Sequence, residues 1–265
     1  MSTIPKIINY CWFGKNKKNE EIIKCINSWK KFMPSYEIKE WNEDNFDVNC
    51  NLYVKEAYET GNYAFVSDFA RLKIIYDNGG IYFDTDVEVL KDISELIREN
   101  GFIGFENTDT ITTGLGFAAN KGNKLIKLFM DDYINSKFIL SDGNYDKTPC
   151  PYRITKILTE NGIKLNNQKQ KIFDIIIYPK EFFCPIDYYK NEINITKNTF
   201  TIHHYHSSWF TKEERFIEKM RVFINRHTKE KYSKNFFKIF IITYQIFMHP
   251  IKTIKKINKK RGNIC

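Results

Sequence analysis

Apolar residues along this chain follow two rhythms. The run Lys6-Ile7-Ile8-Asn9-Tyr10-Cys11-Trp12-Phe13-Gly14 is almost continuously apolar and stops at a glycine, which predicts a buried first strand. Over Glu20–Phe32 the period becomes helical, with Ile22, Ile23, Ile26 and Trp29 on one face. Residues 36–41 alternate like a second strand. A strand–helix–strand opening predicts a parallel α/β sheet whose ligand binds beyond the carboxyl ends of its strands, where Trp12 falls. Helical spacing returns at 65, 66, 69, 72, 75 and 76, giving a helix with Ser67 or Asp68 in its first turn and Gly79 as its C-cap.

Downstream, residues 87–90 read as a strand, 93–98 as a short helix and 101–106 as a strand ending in an acid, Glu106. The Gly/Thr-rich passage 110–118 suits either an ordinary bulge or a close approach of backbone to a ligand. A helix is expected over 123–134 and another over 152–160, after the Thr148-Pro149-Cys150-Pro151 break. Strands are expected at 173–178 and 199–205, then a helix at 210–226 that turns Phe216, Met220 and Phe223 to a core or a membrane.

The chemistry concentrates in Gly79-Gly80-Ile81-Tyr82-Phe83-Asp84-Thr85-Asp86-Val87. In an extended segment Asp84 and Asp86 point the same way, and two like charges so placed call for a cation. Mg²⁺ or Mn²⁺ is the usual answer, taking carboxylate oxygens and leaving positions for phosphate. Asp68 and Arg71, three residues apart on the preceding helix, form an acid–base pair delivered beside the aspartates through a tight turn; alone they would read as a surface ion pair. Near the far end, Thr201-Ile202-His203-His204-Tyr205-His206-Ser207-Ser208-Trp209 carries three histidines in four positions. A three-histidine zinc centre is the competing reading, weakened by irregular spacing.

The block Ala-x-x-Ser-Asp-x-x-Arg-x-x-x-x-x-x-x-Gly-Gly-x-Tyr-x-Asp-x-Asp-Val over 64–87 resembles the DXD sugar-binding region of a glycosyltransferase family. That family includes yeast Golgi mannosyltransferases and bacterial capsule or O-antigen enzymes, with the glucosylating domains of clostridial toxins more distant. The opening Ile-Pro-Lys-Ile-Ile-x-Tyr-x-Trp-Phe-Gly and the histidine-rich segment are similar to the family's start and carboxyl-terminal motif. Thr148–Pro151 is similar to its acceptor-side segment but lacks the glycine. The resemblance implies a GT-A fold, a Rossmann-like mixed α/β sheet flanked by helices. It implies Asp86 on the metal with a histidine, His204 first and His203 as rival, and Asp84 on the metal through water or on the ribose. Trp12 would wall the base, Asp68 and Arg71 would hold donor hydroxyls, and Tyr82 would lie on the donor side. Ser207 would lie at the metal or diphosphate, and Trp209 would cover the diphosphate. The activity implied is metal-dependent, retaining transfer of a hexose from a nucleotide sugar, UDP-linked before GDP-mannose, to a glycan. A protein-glycosylating toxin-like enzyme and a catalytically silent scaffold are the alternatives.

Composition refines this picture in two places. Six cysteines at 11, 25, 50, 150, 184 and 265 form no Cys-x-x-Cys pair, which argues against a zinc ribbon or disulfide framework and for a reducing compartment. The opening lacks a charged stretch followed by an apolar run, so no signal peptide is expected. Residues 211–265 hold 15 Lys and Arg against four Glu, leaving a balance of −2 for the other residues. The basic character belongs to the tail, and nucleic-acid binding by the body is not expected. The division expected is a catalytic domain over 1–210 and a helical basic extension over 211–265. In that extension an apolar, aromatic stretch at 236–248 precedes Lys252, Lys255, Lys256, Lys259, Lys260 and Arg261. An apolar helix followed by basic residues is the pattern of an anchor on the anionic inner face of a membrane, the alternative being a helix docked on the body that ends in a solvated lysine run. A cytoplasmic protein peripheral on that membrane, acting on a lipid-linked glycan in surface-polysaccharide synthesis, is the expectation.

Overall fold

The computed structural model describes residues 4–97, 101–187, 192–205 and 212–248. In chain order the elements are β1 (Ile7–Cys11), α1 (Glu20–Phe32), β2 (Glu37–Trp41), α2 (Leu52–Glu59), α3 (Tyr63–Asn78), β3 (Gly80–Tyr82) and β4 (Val87–Val89). Then follow β5 (Gly101–Phe105), β6 (Ile111–Thr112), β7 (Phe117–Ala119), α4 (Lys124–Ile134), α5 (Cys150–Glu160), β8 (Gln170–Ile172) and β9 (Ile175–Tyr178). The last are β10 (Ile186–Asp187), β11 (Glu192–Ile193), β12 (Thr201–His203), α6 (Lys212–His227) and α7 (Glu230–Met248). Two compact units result: residues 1–185 with 194–209, and residues 186–193 with 210–265.

The first unit is built on a mixed sheet of order β2-β1-β3-β7-β5-β9-β8, with β6 paired to β5. β1 pairs parallel with β2 and β3, β5 parallel with β9, and β7 antiparallel with both β3 and β5. The strands β2, β1, β3, β5 and β9 therefore run in one direction. Their carboxyl ends share one edge, which collects Trp12, Trp41, the residues after Tyr82, and Glu106. β7 enters the sheet from that same edge, so the loop over 113–116 lies there too.

Each element has a local cause. α1 is capped by Asn19, whose side chain accepts from Ile22 N, and carries Glu20 and Glu21 in its first turn and Lys30 and Lys31 in its last. Ile22, Cys25, Ile26 and Trp29 are buried, whereas Ile23, expected on the same face, is 46% exposed. α2, which the hydrophobic pattern did not reveal, is capped by Asn51 and buries Tyr53, Val54 and Ala57. α5 starts at Cys150, two residues before the expected start, because Pro151 sits in the first turn, where a missing N–H costs nothing.

α3 departs most from expectation. Phe65, Val66, Asp68, Phe69, Ala70, Arg71, Leu72, Ile74 and Ile75 are all buried, so the helix is enclosed on most faces. It is a central helix, packed against α2, α4 and β1. The ion pair it carries is an interior one.

In the second unit β10 and β11 form an antiparallel pair, and α6 packs on α7 through Phe216 against Phe240 and Tyr244. The basic run after Pro250 lies outside the described residues, as do residues 206–211.

Candidate active site

Gly79 and Gly80 turn the chain from α3 into β3. Both adopt left-handed φ, 72° and 106°, and a Cβ on Gly80 would lie 2.8 Å from the Ile7 carbonyl oxygen. Only glycine supplies that turn at that separation. β3 then lasts three residues. The strand does not run on through the aspartates as expected: Val87 N bonds to Asp84 O at 3.0 Å, closing a turn over 84–87. β4 then leaves the main sheet and pairs antiparallel with β12, His203 standing opposite Val87. On its other side α1 holds it, with Trp29 Nε1 donating to Val87 O at 2.7 Å and Val89 N donating to Ser28 Oγ at 2.8 Å. The turn is thus clamped from both flanks.

This turn, and not strand alternation, brings Asp84 and Asp86 together, and β12 adds His203. One ligand atom from each of Asp84, Asp86 and His203 lies within 4.8 Å of the others. His203 Nε2 is 3.1 Å from Asp86 Oδ1. The expected ligand, His204, faces elsewhere: its Nε2 lies 2.8 Å from Glu88 Oε2. Strand pairing is the reason. With His203 opposite Val87, the next residue falls on the opposite face, the one that carries Glu88. Ser207 and Trp209 lie outside the described residues.

Arg71 is the hub behind the aspartates. Its Nη2 is 2.9 Å from Asp68 Oδ1 and 3.2 Å from Asp84 Oδ1, and its Nε donates to Ser67 O at 3.1 Å. The guanidinium sits 5.2 Å from the centre of the Tyr82 ring. Tyr82, expected on the donor side, is buried, and its hydroxyl donates to Asp84 Oδ1 at 3.0 Å. Its link to the aspartates is that hydrogen bond. One oxygen of Asp84 is held by Arg71 and Tyr82, while the other, Oδ2, faces Gly114. Trp12 lies just beyond β1, its Nε1 bonded to Asn16 O at 2.7 Å and Lys18 Nζ 5.4 Å from its ring centre.

Electrostatics follow from this packing. Burial pushes the Asp68 carboxyl up to about 6 against the pull of Arg71, and raises Asp84 as well. Burial opposes the charge on Arg71, but Asp84, Tyr82 and Asp68 more than restore it. Burial likewise disfavours the His203 cation, and Asp86 overrides it, so the imidazole binds a proton more tightly than usual. The cluster attracts positive charge, and its donors are two carboxylates and an imidazole, a set suited to a hard or borderline divalent ion. Two thiols border it, Cys11 and Cys150, pushed by burial up to about 12 and about 11. They are poor nucleophiles at neutral pH.

Gly114 marks how closely the site is fitted. A Cβ there would lie 2.9 Å from Asp84 Oδ2 and 3.3 Å from Arg71 Nη1. Gly114→Ala displaces a carboxylate that Arg71 and Tyr82 hold on its other side. We expect catalysis at this site to fall by about tenfold or more, since misplacement by about 1 Å costs up to about 100-fold. Steady-state kinetics alongside a thermal melt check this. The sequence placed Gly114 in a ligand-approach passage without showing what it approaches, and it marked neither Trp29 nor Ser28 as supports of β4.

Residues 19–103 match the glycosyltransferase sugar-binding region containing the DXD motif. That span runs from the cap of α1 through α3 and the Asp84–Asp86 turn into β5. The site accordingly lies within a stretch that matches a DXD-type glycosyltransferase sugar-binding region. Regions of this type use a nucleotide sugar and a divalent metal. No curated protein matches the chain. Among solved structures it is similar to the PaToxG glycosyltransferase, with 20% identity, 60% of this chain and 69% of that one covered, and a TM-score of 0.49. It is also similar to a glycosyltransferase involved in the glycosylation of the major capsid of PBCV-1, with 14% identity, coverage of 82% and 100%, and a TM-score of 0.46.

Proposed function

We propose that the chain is a GT-A enzyme that transfers a hexose, with retention of configuration, from a nucleoside-diphosphate sugar to a lipid-linked glycan. The observation that carries this is the convergence of Asp84, Asp86 and His203, backed by Arg71, at the carboxyl edge of the parallel strands. The ion that suits two carboxylates and an imidazole here is Mn²⁺, with Mg²⁺ second. Bound there, it supplies positive charge to offset what develops on the departing diphosphate.

In this reading Asp86 and His203 hold the ion and Asp84 reaches it or the ribose. Arg71 fixes Asp84, and Asp68 and Arg71 turn polar atoms to the donor sugar's hydroxyls. Trp12 offers a flat face to the base at the end of β1. The sequence offers no clear nucleophile, so the acceptor hydroxyl attacks the anomeric carbon from the side of the leaving group. Its oxygen forms the new bond as the anomeric carbon–phosphate oxygen bond breaks, and its proton passes to a phosphate oxygen. UDP-hexoses are the first donors to test and GDP-mannose the next. A panel of sugar nucleotides, each incubated with Mn²⁺ and assayed for donor hydrolysis, tests the reading. One donor should turn over in a Mn²⁺-dependent way, and no turnover with any donor would overturn it.

The lipid-linked acceptor rests on the second unit. α7 exposes Phe236, Ile239, Ile242 and Ile246, and Phe247 is 85% exposed. Among the described residues no helix is long and apolar enough to cross a membrane. An exposed apolar helix followed in sequence by six basic residues suits the surface of an anionic bilayer, at about 1 kcal/mol per basic residue. We expect the chain to float with anionic liposomes and a chain ending at Phe210 not to. Equal flotation of both would remove the membrane from this account.

A further inference from the structure

A second group of side chains stands behind His203. The chain leaves β12 and turns at Tyr205, whose φ of 52° lies in the left-handed region. A bulky residue holds that conformation only where its surroundings fix it. The turn carries the Tyr205 ring back against the His203 imidazole, with centroids 4.2 Å apart and planes at 52°. Its hydroxyl donates to Glu106 Oε1 at 3.2 Å and lies 3.1 Å from Cys184 Sγ. Glu106 follows β5, and Cys184 follows the helical turn Lys180–Phe182. Tyr205 thereby fastens three segments of chain at the back of one imidazole. Burial raises its phenol far above the usual range, with Glu106 adding to the shift, so it remains an O–H donor.

His203 needs such a fastening. Its Nε2 is directed at Asp86, but its buried Nδ1 has no hydrogen-bond partner among the described residues. Metal-binding imidazoles are ordinarily oriented by a partner on the far nitrogen. In this site the ring contact from Tyr205 takes that place.

We propose that Tyr205, anchored by Glu106 and Cys184, is a positioning residue that holds the His203 imidazole toward the metal and so sets metal affinity. This rests on reading Asp84, Asp86 and His203 as a divalent-cation site. Tyr205→Phe keeps the ring and loses both anchors, whereas Tyr205→Leu loses the ring as well.

The test is Mn²⁺ binding without donor, followed by electron paramagnetic resonance, together with the nitrogen coupling of the bound ion and the melting temperature of the metal-free chain. Tyr205→Phe should weaken Mn²⁺ binding about tenfold, within the range usual for residues that orient metal ligands. Tyr205→Leu should weaken it further. In both, the imidazole nitrogen coupling should diminish. The proposal is overturned if both variants bind Mn²⁺ as the parent does. It is equally overturned if affinity falls while the nitrogen coupling persists in full, since the residue then acts only on the fold. A parent that binds no Mn²⁺ removes the cation site itself and the proposal with it. A parent that binds, and loses binding in Asp86→Ala but not in the Tyr205 variants, removes the proposal alone.

Discussion

Asp86→Ala is expected to lower kcat/KM for the proposed sugar transfer by at least about 10³-fold while the chain stays folded. Metal stabilisation of a leaving group amounts to several kcal/mol, and each 1.36 kcal/mol is a factor of ten in rate. Asp86 is the carboxylate that faces His203, so its loss would remove one of the three proposed ligands and free a second. Stability should change little, because the alanine also ends the repulsion between Asp84 and Asp86 that the metal-free chain sustains. The measurement is donor hydrolysis and transfer with Mn²⁺, together with thermal melts in EDTA. If activity survives with a metal-independent rate, the metal does not act where this site puts it.

Arg71→Ala has the larger effect on folding. Arg71 is 5% exposed and Asp68 9%, and the guanidinium neutralises Asp68 and Asp84 at once. Removing one partner of a buried ion pair costs about 3–5 kcal/mol, because the charge left behind has lost both water and partner. The melting temperature should fall by about 10 °C, at about 2–4 °C per kcal/mol for a chain of this size. The deficit depends on pH in a defined direction. Asp68 already titrates near about 6 in the folded parent, raised by burial, so it binds its proton more tightly folded than unfolded. Without Arg71 that pKa rises further. Lowering the pH from 8 to 5 should therefore recover part of the lost stability, as the stranded carboxylates protonate. Denaturant melts of parent and variant at both pH values check the sign. A deficit that grows on acidification would show that Arg71 does not neutralise these two acids.

The contrast between the helix as read and as folded explains what sequence carries. The opening β1–α1–β2 unit was legible because β1 is an almost unbroken apolar run and α1 buries one face at helical spacing, and the Gly79 cap of α3 is local. α3 was legible as a helix but not as a central one. Ala70 and Ile74 close a further face, and only tertiary packing makes the Asp68–Arg71 pair interior. The Asp-x-Asp pair was visible, but the turn that joins its carboxylates was not. That turn exists because β4 abandons the main sheet for β12, more than a hundred residues away, and α1 supplies the other flank. The same remote pairing sets which of His203 and His204 lies beside Asp84 and Asp86. No local pattern distinguishes two adjacent histidines, and the choice rests on which of them stands opposite Val87. Tyr205 was hidden for a similar reason, since its partners Glu106 and Cys184 come from other segments.

The most direct measurement is a crystal structure of the chain grown with Mn²⁺ and UDP or GDP, with anomalous diffraction collected for manganese. The account predicts one strong anomalous peak bonded to Asp86 and His203, on the Arg71 side of the sheet edge, with diphosphate oxygens completing its shell. Nucleotide bound with no manganese between Asp84, Asp86 and His203 would contradict it.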